Sequence, residues 1–152
     1  MTKTFAEKVL SKKSGRNVVA GDIVTVQPDH LLTHDNTYAI VSKIEKELQE
    51  FGVWNNELNV IVLDHVVPAS DEKIAAQHAY VRNFVAKYGI KHFFDAGVGI
   101  CHQVVVEKGL APPMGIVVGS DSHTCTYGAV GCFATGVDRT EAASLTLGGE
   151  LW

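Results

Sequence analysis

The stretch 58-LNVIVLDH-65 is an almost unbroken apolar run, rich in β-branched residues, that ends abruptly in an acid and an imidazole. It is far too short to span a membrane and lacks the alternation of a half-wet strand, so it reads as a strand buried on both faces. The pattern returns in 115-GIVVGSD-121, again apolar and β-branched with a polar tip. Between the two, 70-SDEKIAAQHAYVRNFVAKYG-89 opens on Ser/Asp capping residues and closes on Lys87 and a glycine. It sets Ile74, Ala75, His78, Val81, Phe84 and Val85 at helical spacing, which predicts a helix. Upstream, 37-TYAIVSKIEKELQEFG-52 does the same with Ile40, Val41, Ile44, Leu48 and Phe51, and ends at Gly52.

Strand and helix in alternation imply βαβ units with right-handed crossovers. The expected fold class is therefore α/β, a three-layer α/β/α domain with a mainly parallel sheet. In such sheets ligands sit beyond the carboxyl ends of the strands, where both polar tips lie. At 152 residues and 46% hydrophobic, the chain is long enough to bury one core, so residues 1–152 are read as one domain. The weaker segments are 92-HFFDAG-97, an apolar stretch, 100-ICHQVVVEKGL-110, a short helix, and 138-DRTEAASLTLGGELW-152, a capped helix broken at Gly148 and Gly149. The terminal Leu151–Trp152 pair allows two readings, a chain cut inside a larger fold or a tryptophan folded back onto this core.

Charge excludes some partners. Thirteen Lys and Arg against 17 Asp and Glu leave a net charge of -4, and no basic block tracks a phosphate backbone, so nucleic acid is not expected. The N-terminal residues carry charges every few positions and no run is long enough for a bilayer, which predicts no membrane partner and a cytoplasmic location. Cys101, Cys125 and Cys132 are odd in number, spaced by 24 and 7 residues, and match neither a disulfide framework nor a CxxC metal pattern.

A parallel sheet can bring its two polar tips within one substrate's width of each other. A site there would gather Asp64, His65, Asp121, Ser122 and His123. Imidazole donates or accepts a proton near neutrality, an adjacent carboxylate fixes its tautomer, and a serine beside a base is activated. This set suits proton abstraction and dehydration of a hydroxy acid. Plainer readings stand beside it: an Asp-His pair caps turns, and SDSHT is a fair N-cap and Asx-turn sequence. The glycines of 126-TYGAVGCFATG-136 suit a tight turn and fit no phosphate-binding motif. His78 falls on the apolar side of its helix as a core histidine, His30 and His34 precede a helix start where Asp35, Asn36 or Thr37 can cap, and His92 has no role.

Four segments together, 29-DHLLTHDNT-37, 63-LDHVVPASD-71, 99-GICHQVVVEKG-109 and 119-GSDSHTCTYGAVGCFATGVDRTEAA-143, resemble the aconitase superfamily, and within it the isopropylmalate dehydratase, homoaconitase and dimethylmalate dehydratase branch. The resemblance runs over essentially the whole chain and implies an aconitase-like N-terminal domain. It implies a hydro-lyase that moves a hydroxyl between adjacent carbons of a hydroxy di- or tricarboxylic acid at a [4Fe-4S] cluster, one iron of which acts as a Lewis acid. Asp64 and His65 match the family's pair around the departing hydroxyl, with the histidine as proton donor. Asp121, Ser122 and His123 match the DSH block beside the cluster, His102 the GxxHQ histidine, His34 a substrate-contacting polar position, and Thr124 the site lining.

None of the three cysteines matches the family's cluster ligands, which implies a cluster held elsewhere and no metal ligand in this segment. The same comparison implies missing C-terminal domains and a small subunit or swivelling domain as partners, and an inactive isolated segment. The alternatives are a free-standing binding or assembly module that keeps the fold without catalysis, and a metal held by the three cysteines themselves.

Overall fold

The computed structural model describes residues 2–152. Its centre is a five-stranded sheet in the order β3-β2-β1-β4-β5, with β1 His30–Thr33, β2 Asn59–Val62, β3 His92–Phe94, β4 Ile116–Gly119 and β5 Phe133–Gly136. All four strand pairings are parallel. Consecutive strands run outward from β1 to β3, then the chain crosses back to lay β4 on the other side of β1. The order thus reverses between β1 and β4, and the crevice beyond their carboxyl ends is where such sheets bind ligands.

Alternate residues of each strand point to opposite faces, and in the three central strands both faces are dry. Leu31, Ile61, Leu63, Ile116 and Val118 face one layer, where they meet Val9, Ile40, Val41, Leu48, Val81, Phe84, Ala142, Ala143 and Leu145. Those partners come from α1 Phe5–Ser14, α2 Thr37–Val41, α3 Glu45–Phe51, α4 Glu72–Tyr88 and α6 Arg139–Gly148. Leu32, Val60, Val62 and Val117 face the other layer, packed by Cys101, Val104 and Val105 of α5 Cys101–Glu107 and by Tyr127 of the 3-10 segment Thr124–Val130. Three layers result, which is why β2 and β4 read as continuous apolar runs rather than alternating ones.

Local chemistry sets the helix ends. Asp71 accepts from the Ile74 amide at the start of α4, and Gly89 closes it in the left-handed region at φ 64°. Asp138 and Glu141 form a reciprocal cap on α6, as Thr4 and Glu7 do on α1.

Four elements differ from the sequence expectation. The helix expected over residues 37–52 is interrupted by a 3-10 turn at Ser42–Ile44, and Phe51, placed on its apolar stripe by spacing, is 70% exposed. Residues 30–33, expected to lead into a helix, are the central strand of the sheet. Residues 133–136, expected as part of a glycine turn, form edge strand β5. Helix α1 lies where only a charged N-terminus was read. Trp152 does not fold back onto the core: it is 83% exposed, while its neighbour Leu151 exchanges two backbone hydrogen bonds with Val26.

Candidate active site

The loops that leave β1, β2 and β4 meet above the crevice. From β1 come His34, Asp35 and Asn36; from β2, Asp64 and His65; from β4, Ser120 to His123. Asn36 donates to the Ser120 carbonyl at 3.0 Å and Ser120 Oγ donates back to Asn36 Oδ1 at 3.0 Å, clipping the first and last of these loops together. The last residue of β4 is Gly119, where a Cβ would collide with Thr124 Oγ1 and stand 3.2 Å from Leu32 Cβ. Only a glycine lets the following loop turn back so closely over the strand end.

The Asp64–His65 pair is tightly built. His65 Nδ1–H donates to Asp64 Oδ1 at 2.7 Å, and Asp64 Oδ2 accepts the Cys101 amide at 2.6 Å from the start of α5. The other ring nitrogen, Nε2, points towards Asp121 Oδ2 at 3.6 Å, so the two polar strand tips do share one crevice. His34 stacks on the His65 ring at 3.8 Å between centroids, 19° from parallel. Burial pulls the His65 imidazole down, but the bond to Asp64 and the charges of Asp64, Asp121 and Asp35 outweigh it, so its pKa lies above the ordinary value. For His34, burial followed by the neighbouring His65 moves the pKa down, which keeps that ring neutral. Its Nδ1 is buried without a hydrogen-bond partner. The two stacked rings are thus shifted in opposite directions.

Asp121 collects imidazoles. Its Oδ1 accepts His102 Nε2–H at 2.8 Å, the His123 amide at 2.7 Å and His123 Nδ1–H at 3.2 Å. Burial opposes its ionisation, but these bonds win and hold its pKa at about 2. His102 Nδ1 lies 2.9 Å from the hydroxyl of Tyr127, whose side chain is wholly buried. Burial drives the Tyr127 phenol upward, so it stays protonated and donates to His102 Nδ1. That leaves the Nε2–H of His102 directed at Asp121.

The remaining expected residues are placed less uniformly. His123 and Ser122 are exposed at the rim, with Ser122 Oγ 3.5 Å from His123 Nδ1. Thr124 is wholly buried, and its hydroxyl donates to the Asp121 carbonyl at 2.7 Å, bracing the loop from below. Two residues that sequence reasoning treated as bland belong to the construction. Asp35 accepts the amides of Asp64, His65 and Val66 at 3.1, 2.7 and 3.3 Å, and His78 donates Nε2–H to it at 2.7 Å. An acid two residues past a short strand containing a Leu-Leu pair was the available signal, obscured because β1 was not read as a strand.

Two groups, His34 with Asp35, Asp64 and His65, and His102 with Asp121 and His123, bring ligand-type atoms within 4.8 Å of one another. Both carboxylates of the first group already accept N–H donors on every oxygen. The cysteines do not suit an iron–sulfur cluster, whose ligands are thiolates. Burial, then Asp64, pushes the Cys101 thiol up to about 12; Cys132 is buried with its thiol donating to the Gly115 carbonyl at 3.4 Å; Cys125 alone is exposed. Among the described residues no helix is long and apolar enough to cross a membrane.

A doubly wound parallel sheet with acids and imidazoles gathered at its switch point is a fold in which family membership decides the chemistry, and residues 7–152 match the Aconitase family (aconitate hydratase). The chain belongs to that family. It is 45% identical over its full length to the 3-isopropylmalate dehydratase large subunit 1 of Methanopyrus kandleri, covering 36% of that protein. To the methanogen homoaconitase large subunit of Methanocaldococcus jannaschii it is 44% identical over 98% of this chain and 35% of the other. A 3-isopropylmalate dehydratase large subunit of Aquifex aeolicus is 44% identical, with 35% of its length covered. The chain thus spans about a third of the length of the relatives it matches.

Proposed function

We propose that this chain supplies the acid–base wall of a hydro-lyase acting on a hydroxy di- or tricarboxylic acid of the 3-isopropylmalate type. The observation that carries the reading is the His65 ring, anchored at Nδ1 by Asp64 and open at Nε2 towards Asp121. Hydroxide is a poor leaving group, so dehydration needs a proton delivered to the departing oxygen. His65 suits that role because its carboxylate neighbours raise the pKa of the ring, and Nε2, the nitrogen not bonded to Asp64, is free to give a proton. The Asp64 carboxylate holds the tautomer and steadies the charge. Asp121, oriented by His102 and His123, sets the far side of the gap, while His123, Ser122 and the neutral His34 offer polar contacts to substrate oxygens.

The [4Fe-4S] cluster expected of the family would be bound by residues outside this segment, since burial pushes the Cys101 thiol up to about 12 and, among the described residues, no ligand-type grouping includes a cysteine. The rest of a large subunit and a small subunit are the proposed partners, with the cytoplasm as the proposed location. A second reading, an inactive binding or assembly module, is favoured by one observation: both faces of the sheet are covered by this chain alone.

The decisive test uses the chain within its full-length subunit, assembled with the small subunit, and follows loss of water from the hydroxy acid. His65→Gln is expected to lower kcat by roughly 10²–10⁴-fold, the usual contribution of a positioned proton donor. A near wild-type rate would remove the assignment.

A further inference from the structure

Asp35 lies at the end of β1, its four hydrogen-bond donors come from the loop after β2 and from helix α4, and none of them is a group assigned to the reaction. We propose that Asp35 and His78 are positioning residues, which together hold the backbone of residues 64–66 so that His65 presents Nε2 to the crevice. The inference rests on the reading of His65 as proton donor and adds to it the device that aims the ring.

The geometry is specific. Asp35 Oδ2 takes the Asp64 and His65 amides, and Oδ1 takes the Val66 amide and His78 Nε2–H. Three successive amides converging on one carboxylate fix the path of that turn, and with it the direction in which the His65 side chain leaves the backbone. His78 is 4% exposed on a helix face otherwise apolar, between residues such as Val81 and Phe84 that pack the core. An apolar side chain would fill that space without the desolvation cost of an imidazole. What the imidazole adds is the bond to Asp35, which pins one oxygen of a carboxylate that would otherwise be free to rotate away from the turn.

The ionisable groups facing His65 are Asp64 beside it, His34 and Asp35 from β1, and Asp121 from β4. His78 bonds to Asp35 and not to His65. A change at His78 therefore reaches His65 through Asp35, which separates positioning from direct electrostatics.

The test uses the isotope-labelled chain and nuclear magnetic resonance, reading the His65 titration midpoint and the amide exchange of residues 64–66. In His78→Leu the midpoint should fall towards the ordinary histidine value, because the ring loses its set contact with Asp64. The three amides should exchange about tenfold faster, the order of losing one hydrogen bond. His78→Gln, which carries an N–H donor near the position of Nε2, should restore both, and His30 at the opposite end of the sheet should titrate unchanged throughout. A wild-type His65 midpoint in His78→Leu, or failure of the glutamine to restore it, would overturn the proposal. Should His78→Leu not fold, Asp35→Asn read by exchange alone decides: unchanged protection at residues 64–66 rejects the clamp. No substrate enters the measurement, so an error in the hydro-lyase reading would leave its outcome intact and would emerge only in the turnover of His65→Gln.

Discussion

The pKa of His65 is raised and that of Asp121 lowered, and pH separates what each contributes. His65 has a folded pKa above its unfolded value, so its stabilising contribution is complete below about pH 6.5 and is lost as pH rises through the folded value. Asp121, at about 2 when folded against an ordinary 3.8, contributes above about pH 4 and loses that contribution as pH falls towards 2. Thermal melts should therefore weaken at both ends of that range. Asp64→Asn removes the first carboxylate supporting the ring, and in the assembled enzyme the basic limb of kcat/KM should move to lower pH. An unmoved limb would mean that His65 is not the proton donor. At this scale the sequence was informative for Asp64, His65 and Asp121, which stand at the ends of recognisable strands. It was uninformative for Asp35 and His78, whose meaning lies in a contact 43 residues apart along the chain.

Among elements, β4 and the loop after it are the most constrained. The crowding at Gly119, where a Cβ would collide with Thr124 Oγ1 and press on Leu32, makes Gly119→Ala an overpacking change that should destabilise the chain by about 1–3 kcal/mol. The measurement is the denaturant midpoint, and a loss well below that range would show the loop free to shift. Leu32, wholly buried in β1, should cost about 2–5 kcal/mol as Leu32→Ala. Helix α4 was legible because capping residues, apolar spacing and a terminal glycine agreed. Strands β1 and β5 were not, since four residues of which only two are apolar leave no period to detect. The break in the helix over residues 37–52 was equally hidden, because a 3-10 turn scarcely alters the spacing of apolar positions.

For the whole molecule, the arrangement of layers places every ionisable candidate at one end of the sheet and leaves the cysteines without a common site. The purified 152-residue chain should therefore remain colourless after anaerobic incubation with iron and sulfide, and should not dehydrate the hydroxy acid. Stoichiometric iron with visible charge-transfer absorbance would show that its thiols can be recruited after all. The same chain joined to the proposed remainder of a large subunit and to the proposed small subunit is expected to gain both properties, which also separates the hydro-lyase reading from that of an assembly module.

The sequence by itself determined the class of fold and the chemical character of the site. Apolar β-branched runs require burial on both faces, burial on both faces requires helices above and below, and strands in such a sheet end in a crevice where polar residues gather. Those are local requirements, carried by adjacent residues. Which strand stands at the centre, which nitrogen of each imidazole faces the gap, and which acid steers the turn beneath His65 were decided only by the tertiary structure. Each depends on strand order and on hydrogen bonds between segments far apart in the chain, and no local pattern encodes a partner that only folding brings near.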